Sequence, residues 1–241
     1  ALPISRSLES AVFATNDWSV SEAFTVSYGV RLSGFSVLGN GQDVYTYNDN
    51  GDVLNSTLYK KNEHLKTYWN LEPRLSMSYA YSKTASFKAA YARNVQNIHL
   101  VSNSTSSSPT DVWLASSINT KPEIADQVSV GWYKNFKNNM YEFNVETYYK
   151  AMQNQIDYRN GANTNANELL EGELLYGIGR AYGLELVLKK KTGRFTGWVG
   201  YTLSRTERKV DGINNNDWYV AKQDRTHDIS VVGIYEIGRA S

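Results

Sequence analysis

The side chains best able to do chemistry are few in this sequence, and they do not cluster. His64, His99 and His227 are the only histidines. No two of them stand at the close spacing of a metal-binding pair. Each reads either as a ligand reaching a metal complex from a loop, or as an ordinary polar side chain. His227-Asp228 with a serine would be the raw material of a hydrolase, but no nucleophile elbow accompanies it. The chain has no cysteine, which removes disulfides, thiolate metal sites and a cysteine nucleophile. Thr46–Asp52, TYNDNGD, resembles the start of a calcium loop. Thr57 stands where the bidentate glutamate belongs, so an Asn- and Gly-rich turn is the better reading. No catalytic centre, metal site or cofactor is expected.

Two other groups carry more information. The first is a set of charges that alternate with apolar residues: Arg31, Glu72, Arg74, Lys88, Glu142, Glu146, Lys150, Glu185 and Lys189. They would form one wet wall, lining a path or merely solvated. The second is a set of aromatics in segments rich in turn residues: Tyr45, Tyr47, Tyr59, Trp113 and Trp218. They could stack on a substrate ring, or pack within loops and at an interface.

Period-two alternation positions these residues. Trp69, Leu71, Pro73, Leu75, Met77, Tyr79 and Tyr81 fall on one side, and Asn70, Glu72, Arg74, Ser76, Ser78 and Ala80 on the other. Successive strand side chains point to opposite faces, so such a strand has one apolar and one polar face. Phe24–Leu32, Tyr141–Tyr149, Tyr182–Leu188 and Phe195–Leu203 repeat the pattern, although Trp198 joins a polar set. Nine strands are expected, at about 8–18, 24–38, 68–81, 86–100, 123–135, 140–158, 174–190, 195–207 and 226–237. Several exceed the roughly 9–11 residues that a tilted strand needs to cross a bilayer.

The connections come in two kinds that alternate. Ser19–Ala23, Ser82–Ala85, Phe136–Asn139 and Lys191–Arg194 are short. Gly39–Thr67, Val101–Pro122, Arg159–Glu173 and Arg208–Arg225 are long and rich in Asn, Ser, Thr, Gly and Asp. In an up-and-down meander, alternate connections lie at opposite ends. Short turns at one end and long loops at the other suit a transmembrane β-barrel. With 25 basic and 24 acidic residues, no basic excess marks a nucleic-acid partner. Eighteen tyrosines and six tryptophans suit strands and a membrane–water interface. No apolar run is long enough for a transmembrane helix. No signal peptide opens the chain, which leaves a processed protein or a piece of a longer one.

Eight segments, in order, resemble the later barrel of TonB-dependent outer-membrane receptors. Leu8–Leu38 carries GVRLS within a strand–turn–strand ahead of a long loop. Leu71–Ser78 is LEPRLSMS, and Ala90–His99 is AYARNVQNIH. Lys121–Gly131 is KPEIADQVSVG, with Asp126-Gln127 near the usual acidic position. Asn144–Asp157 is NVETYYKAMQNQID. GRAYGLEL begins at Gly179, FTGWVGYTLS spans Phe195–Ser204, and QDRTHDI opens the strand that ends at Tyr235. No one segment is specific; the series is.

The resemblance implies an all-β fold: an antiparallel up-and-down meander, part of a 22-stranded transmembrane barrel in a bacterial outer membrane. Residues 1–241 would be one partial barrel domain of about nine strands, without the N-terminal plug and the remaining strands. It implies an energised uptake receptor with outer-membrane lipid around it. The TonB system would act through the absent plug. A small molecule or glycan would be the substrate: siderophore, haem, cobalamin or glycan. Two alternatives stay open, a passive porin-like channel and a soluble β-rich sandwich or propeller. A second sheet covering the Tyr182, Leu184 and Leu186 side would favour the last.

Overall fold

The computed structural model describes residues 6–101, 112–164 and 167–238. Its strands are β1 (Arg6–Ser19), β2 (Phe24–Leu38), β3 (Asp43–Tyr47), β4 (Val53–Leu58), β5 (His64–Ser82), β6 (Ala85–Gln96) and β7 (Ile98–Val101). They continue as β8 (Val112–Ala115), β9 (Glu123–Phe136), β10 (Tyr141–Tyr158), β11 (Leu174–Lys190), β12 (Phe195–Val210), β13 (Tyr219–Val220) and β14 (His227–Tyr235). One sheet runs β1-β2-β5-β6-β9-β10-β11-β12, with β13 and β14 both paired to β12. Every pairing in it is antiparallel.

The expected strand at 86–100 is two strands. Gln96↔Glu123 is the last rung between β6 and β9, next to Pro122, which has no N–H to continue a ladder. The chain bends at Asn97, and β7 leaves to pair with β8 instead. The long loops also hold structure that alternation did not reveal. β3 and β4 form a hairpin within the first of them.

The short connections are tight turns. At one, Lys137, Asn138 and Asn139 take φ of 48°, 52° and 64° in succession, a left-handed path that asparagine tolerates better than most residues. Pro73 sits just beyond Arg74↔Ala92, where the β5–β6 ladder has already ended. On β10, the register shifts between Gln153 and Gln155. Asn154 fills that bulge at φ 56°, and its side-chain amide donates to the Pro122 carbonyl at 2.7 Å.

Cross-strand partners share a face, so the register tests the alternation directly. Phe24, Tyr79, Phe87, Trp132, Val145, Leu186, Tyr201 and Ile229 form one continuous lateral row. Among the described residues, no second layer covers it. Val30, Leu32, Leu71, Val128, Val130, Leu188, Val199, Ile229 and Val231 are exposed. A single sheet with a bare apolar face is not a sandwich, and soluble monomers rarely expose so large an apolar patch.

The row also crosses the apolar band obliquely. On β2 it enters at Phe24, the turn end of the run Phe24–Leu32. On β14 it leaves at Ile229, the loop end of that strand's run. Climbing about eight residue steps of about 3.3 Å over about seven interstrand spacings of about 4.8 Å means a strand tilt of about 40° to the band. Membrane barrels tilt their strands by about 35–45°.

If the bare face meets hydrocarbon, Leu186→Arg, mid-band on β11, is expected to destabilise the bilayer-inserted protein by about 2–4 kcal/mol. Denaturant unfolding from phospholipid vesicles measures it, and an unchanged midpoint would contradict lipid contact at Leu186.

Candidate functional site

The polar face is as continuous as the apolar one. Thr25, Ser78, Lys88, Gly131, Glu146, Glu185, Thr202 and Asp228 form a lateral row across eight strands. Glu142 pairs with Lys189, Lys150 with Ala181, Arg31 with Glu72, and Arg74 with Gly29 and Ala92. All the charges expected on one wall are therefore on one wall.

Most of them have partners. Glu72 is buried, accepts from the Ser33 hydroxyl at 2.9 Å and lies 3.7 Å from Arg31, which also reaches Glu9 at 3.2 Å. Glu142 pairs with Lys191 and accepts from Asn144 at 3.2 Å. Glu146 accepts from the Tyr133 hydroxyl at 2.7 Å, and the Lys88 ammonium sits 4.5 Å from the Tyr133 ring centre. Gly131 makes that arrangement possible. A Cβ there would come within 2.9 Å of the Tyr133 ring and 3.3 Å of the Glu146 carboxylate. Arg74 and Glu185 are exposed on the wall.

Above the wall, the long loops pack into a roof. Val101, Leu114, Ile156, Tyr158, Leu170 and Leu174 form a buried apolar cluster drawn from two connections and the ends of two wall strands. Polar clamps lock it. The Asn119 amide donates to the Tyr45 carbonyl at 2.9 Å and to the Glu171 carboxylate. The Tyr68 hydroxyl donates to the Ser117 carbonyl at 2.6 Å. Arg159 donates to the Asn50 carbonyl and lies 3.7 Å from Glu173. Gly51, at φ 84°, abuts Gly172 so closely that a Cβ on Gly51 would stand 2.2 Å from the Gly172 carbonyl oxygen. Two loops thus touch backbone to backbone.

The five loop aromatics do not share one surface. Tyr45 and Tyr47 line a small cavity of about 120 Å³ with Glu171 and Leu170. The Tyr47 ring packs on Gly172, and burial beside Glu171 pushes its hydroxyl up to about 12. Tyr59 lies against Gly39 at the base of the β3–β4 hairpin. Trp113 is 68% exposed and pairs with Leu100 on the open face of the β7–β8 hairpin. Trp218 lies under the Arg180 guanidinium, 4.1 Å from its ring centre.

A larger cavity of about 680 Å³ opens between roof and wall, lined by His99, Glu123, Lys150, Met152, Gln155 and Arg208 among others. His99 is not an ordinary surface side chain. It is buried, near the Ser116 hydroxyl at 3.1 Å and 3.7 Å from Glu123. Desolvation pulls its pKa down to about 4. Among the described residues, no three His, Cys, Asp or Glu side chains are grouped to hold a metal ion.

His99 therefore links the roof to pH. The unfolded imidazole takes a proton below its ordinary pKa of about 6.5, and the buried one not until about 4. Stability from this residue is present above pH 6.5 and is lost as the pH falls toward 4, by up to about 3 kcal/mol. Amide exchange in β7 and β8 is expected to quicken across that window. His99→Gln should flatten the dependence, and an unchanged pH profile in that variant would refute the link.

A family model described as TonB dependent receptor-like, beta-barrel, matches residues 3–228. No curated protein matches. Among solved structures, the ferripyoverdine receptor of the outer membrane of Pseudomonas aeruginosa is similar at TM-score 0.61 and 12% identity, over 98% of this chain and 27% of that one. The copper transporter OprC is similar at TM-score 0.63 and 16% identity, over 96% and 33%. The FrpB iron transporter from Neisseria meningitidis is similar at TM-score 0.57 and 14% identity, over 88% and 27%. The chain thus spans no more than about a third of these relatives, and at such identities the likeness is one of fold.

Proposed function

The chain belongs to the TonB-dependent receptor β-barrel family, and on that premise we propose that it supplies wall and outer loops to an energised uptake receptor of a bacterial outer membrane. The reading is of transport rather than catalysis. The observation that carries it is the pair of opposed lateral rows, one apolar and uncovered, the other charged and internally paired. In a barrel the first faces lipid and the second faces the lumen. Lipid-exposed strands must satisfy every backbone group within the sheet. The edge strands β1 and β14 are each paired on one side only, which fits a wall continued by other strands.

The roof would stand on the outer surface. Its cavity, about 680 Å³, lies within the range of small-molecule sites. Arg208, Lys150, Glu123 and Glu9 are among the charged side chains that line it. The exposed Trp113 is the aromatic best placed to meet an incoming ring. The solved relatives carry iron, copper or a ferric chelate by their own descriptions. A scarce metal chelate is accordingly the first substrate class to try here, with haem, cobalamin and glycans beside it. Energy would come from TonB through a plug, and outer-membrane lipid would surround the wall.

The experiment is uptake by whole cells. Deleting the gene for the full receptor is expected to slow growth on one limiting source, iron chelate or glycan. Removing TonB should slow it equally. Uptake that survives without TonB would make the barrel a passive channel instead.

A further inference from the structure

Toward the loops, the polar wall includes the lateral row Asn94, Ala125, Met152, Gly179 and Arg208. A Cβ on Gly179 would come within 2.9 Å of the Met152 methyl and 3.3 Å of the Gln155 side chain, so glycine lets both lie low on the sheet. Arg208 lies across the same strand. Its Nη1 donates to the Ile156 carbonyl on β10 at 3.0 Å, while β11 between them carries Gly177 and Gly179. Residues on both sides of the bulge at Asn154 and of the bend at Asn97 line the cavity of about 680 Å³ above this row.

Three side chains around this cavity hold a buried polar atom with no hydrogen-bond partner among the described residues: Asn97 Oδ1, His99 Nδ1 and Arg208 Nε. Asn97 is 7% exposed and His99 2%. A Glu123 carboxylate oxygen stands 3.7 Å from His99 Nδ1, but Glu123 is met by the Gln155 side chain and the Ile156 backbone amide. A buried polar atom left unpaired is costly, and the fold brings three of them to one cavity. Their needs differ. Asn97 Oδ1 accepts, Arg208 Nε donates, and a neutral imidazole nitrogen does one or the other. The charges along the lining are balanced, with Glu9 and Glu123 against Lys150 and Arg208. The cavity therefore has no surplus of either sign to draw in an ion.

Resting on the uptake reading above, we infer that this cavity recognises a neutral ligand dense in hydroxyls, an oligosaccharide, through Asn97, His99 and Arg208. A hydroxyl donates and accepts at once. Neighbouring hydroxyls on one sugar ring can give a hydrogen to Asn97 and take one from Arg208. An ionised carboxylate only accepts, as do the metal-bound oxygens of a chelate, and either would leave Asn97 unmet. The mouth suits a sugar as well. Ile98 and Leu100 line it, and the exposed Trp113 pairs with Leu100 on the same face of the β7–β8 hairpin. The face of an indole is negative, and it attracts the weakly positive C–H bonds of a sugar ring. The chemistry of the cavity thus ranks glycan above the metal cargo named for the solved relatives.

The test is binding by the full receptor in detergent micelles to an array of neutral oligosaccharides, with ferric citrate and hemin as competitors. Titration calorimetry then measures the affinity of each sugar that the array retains. A neutral oligosaccharide is expected to bind, and neither chelate to displace it. Asn97→Leu keeps the bulk of the side chain and removes its oxygen, and should weaken the sugar about tenfold, as should Trp113→Ala. Trp113 is exposed, so its replacement spares the fold and keeps the test open if Asn97→Leu folds poorly. Displacement by ferric citrate or hemin, an array that retains nothing, or unchanged affinity in the variants would overturn the inference. Growth separates that failure from failure of the uptake reading. TonB-dependent growth on a chelate, with no sugar bound, leaves an energised receptor and sinks the sugar site. Sugar uptake that survives without TonB keeps the site and removes the energy coupling.

Discussion

A single sheet with a bare apolar face is the constraint on which everything else depends. Water does not tolerate such a surface at this extent, and no second layer among the described residues covers it. Hydrocarbon does, provided that the sheet satisfies its own backbone and that no charge enters the band. The ladders meet the first condition for the interior strands. The position of charges on the apolar face meets the second: Arg93, Asp126, Arg180, Arg205 and Glu207 lie toward the loop ends of their strands, and Lys134 and Lys190 toward the turn ends. The same face reads as oil in its middle and as ionic surface at its rim.

That constraint separates two kinds of stability in one molecule. The wall holds by ladder hydrogen bonds and by the medium around it, with little buried apolar packing of its own. The roof holds as an ordinary soluble domain does, through Val101, Leu114, Ile156, Tyr158, Leu170 and Leu174, with Asn119 and Glu171 clamped inside. Between them stands the bulge at Asn154. Beyond it, Gln155, Ile156, Asp157 and Tyr158 are all buried, where the strand below alternates between its two faces. One extra residue turns a membrane strand into a wall of the roof.

The sequence made the wall legible because its signal is local and repeats every two residues. Tyr182, Leu184 and Leu186 against Gly183 and Glu185 decide a face by themselves. The rows then follow, since turns at one end fix the register. The roof was not legible for the opposite reason. Asn119, Glu171 and Tyr45 meet across long stretches of chain, and nothing in their own neighbourhoods announces it. Nothing near His99 in the chain announces its burial, because that burial comes from β8 and the loop beyond it. Trp218 stood among the loop aromatics, yet its partner Arg180 is on the outer rim. A signal for that rim did exist. Charges that continue the apolar period, as in Tyr91-Ala92-Arg93 and Leu203-Ser204-Arg205, tell where the greasy stretch of a strand stops.

The roof's shared core has a consequence for anyone who would remake the receptor. Loops of a barrel are commonly treated as interchangeable ornaments, to be grafted one at a time from a sibling. Here Leu114 and Leu170 belong to different loops and complete one interior. A chimera carrying a single foreign loop would bring half of a lock and strand the other half in water. The natural unit of exchange is the whole ensemble, hairpins and clamps together, and evolution of new ligand preferences would face the same coupling.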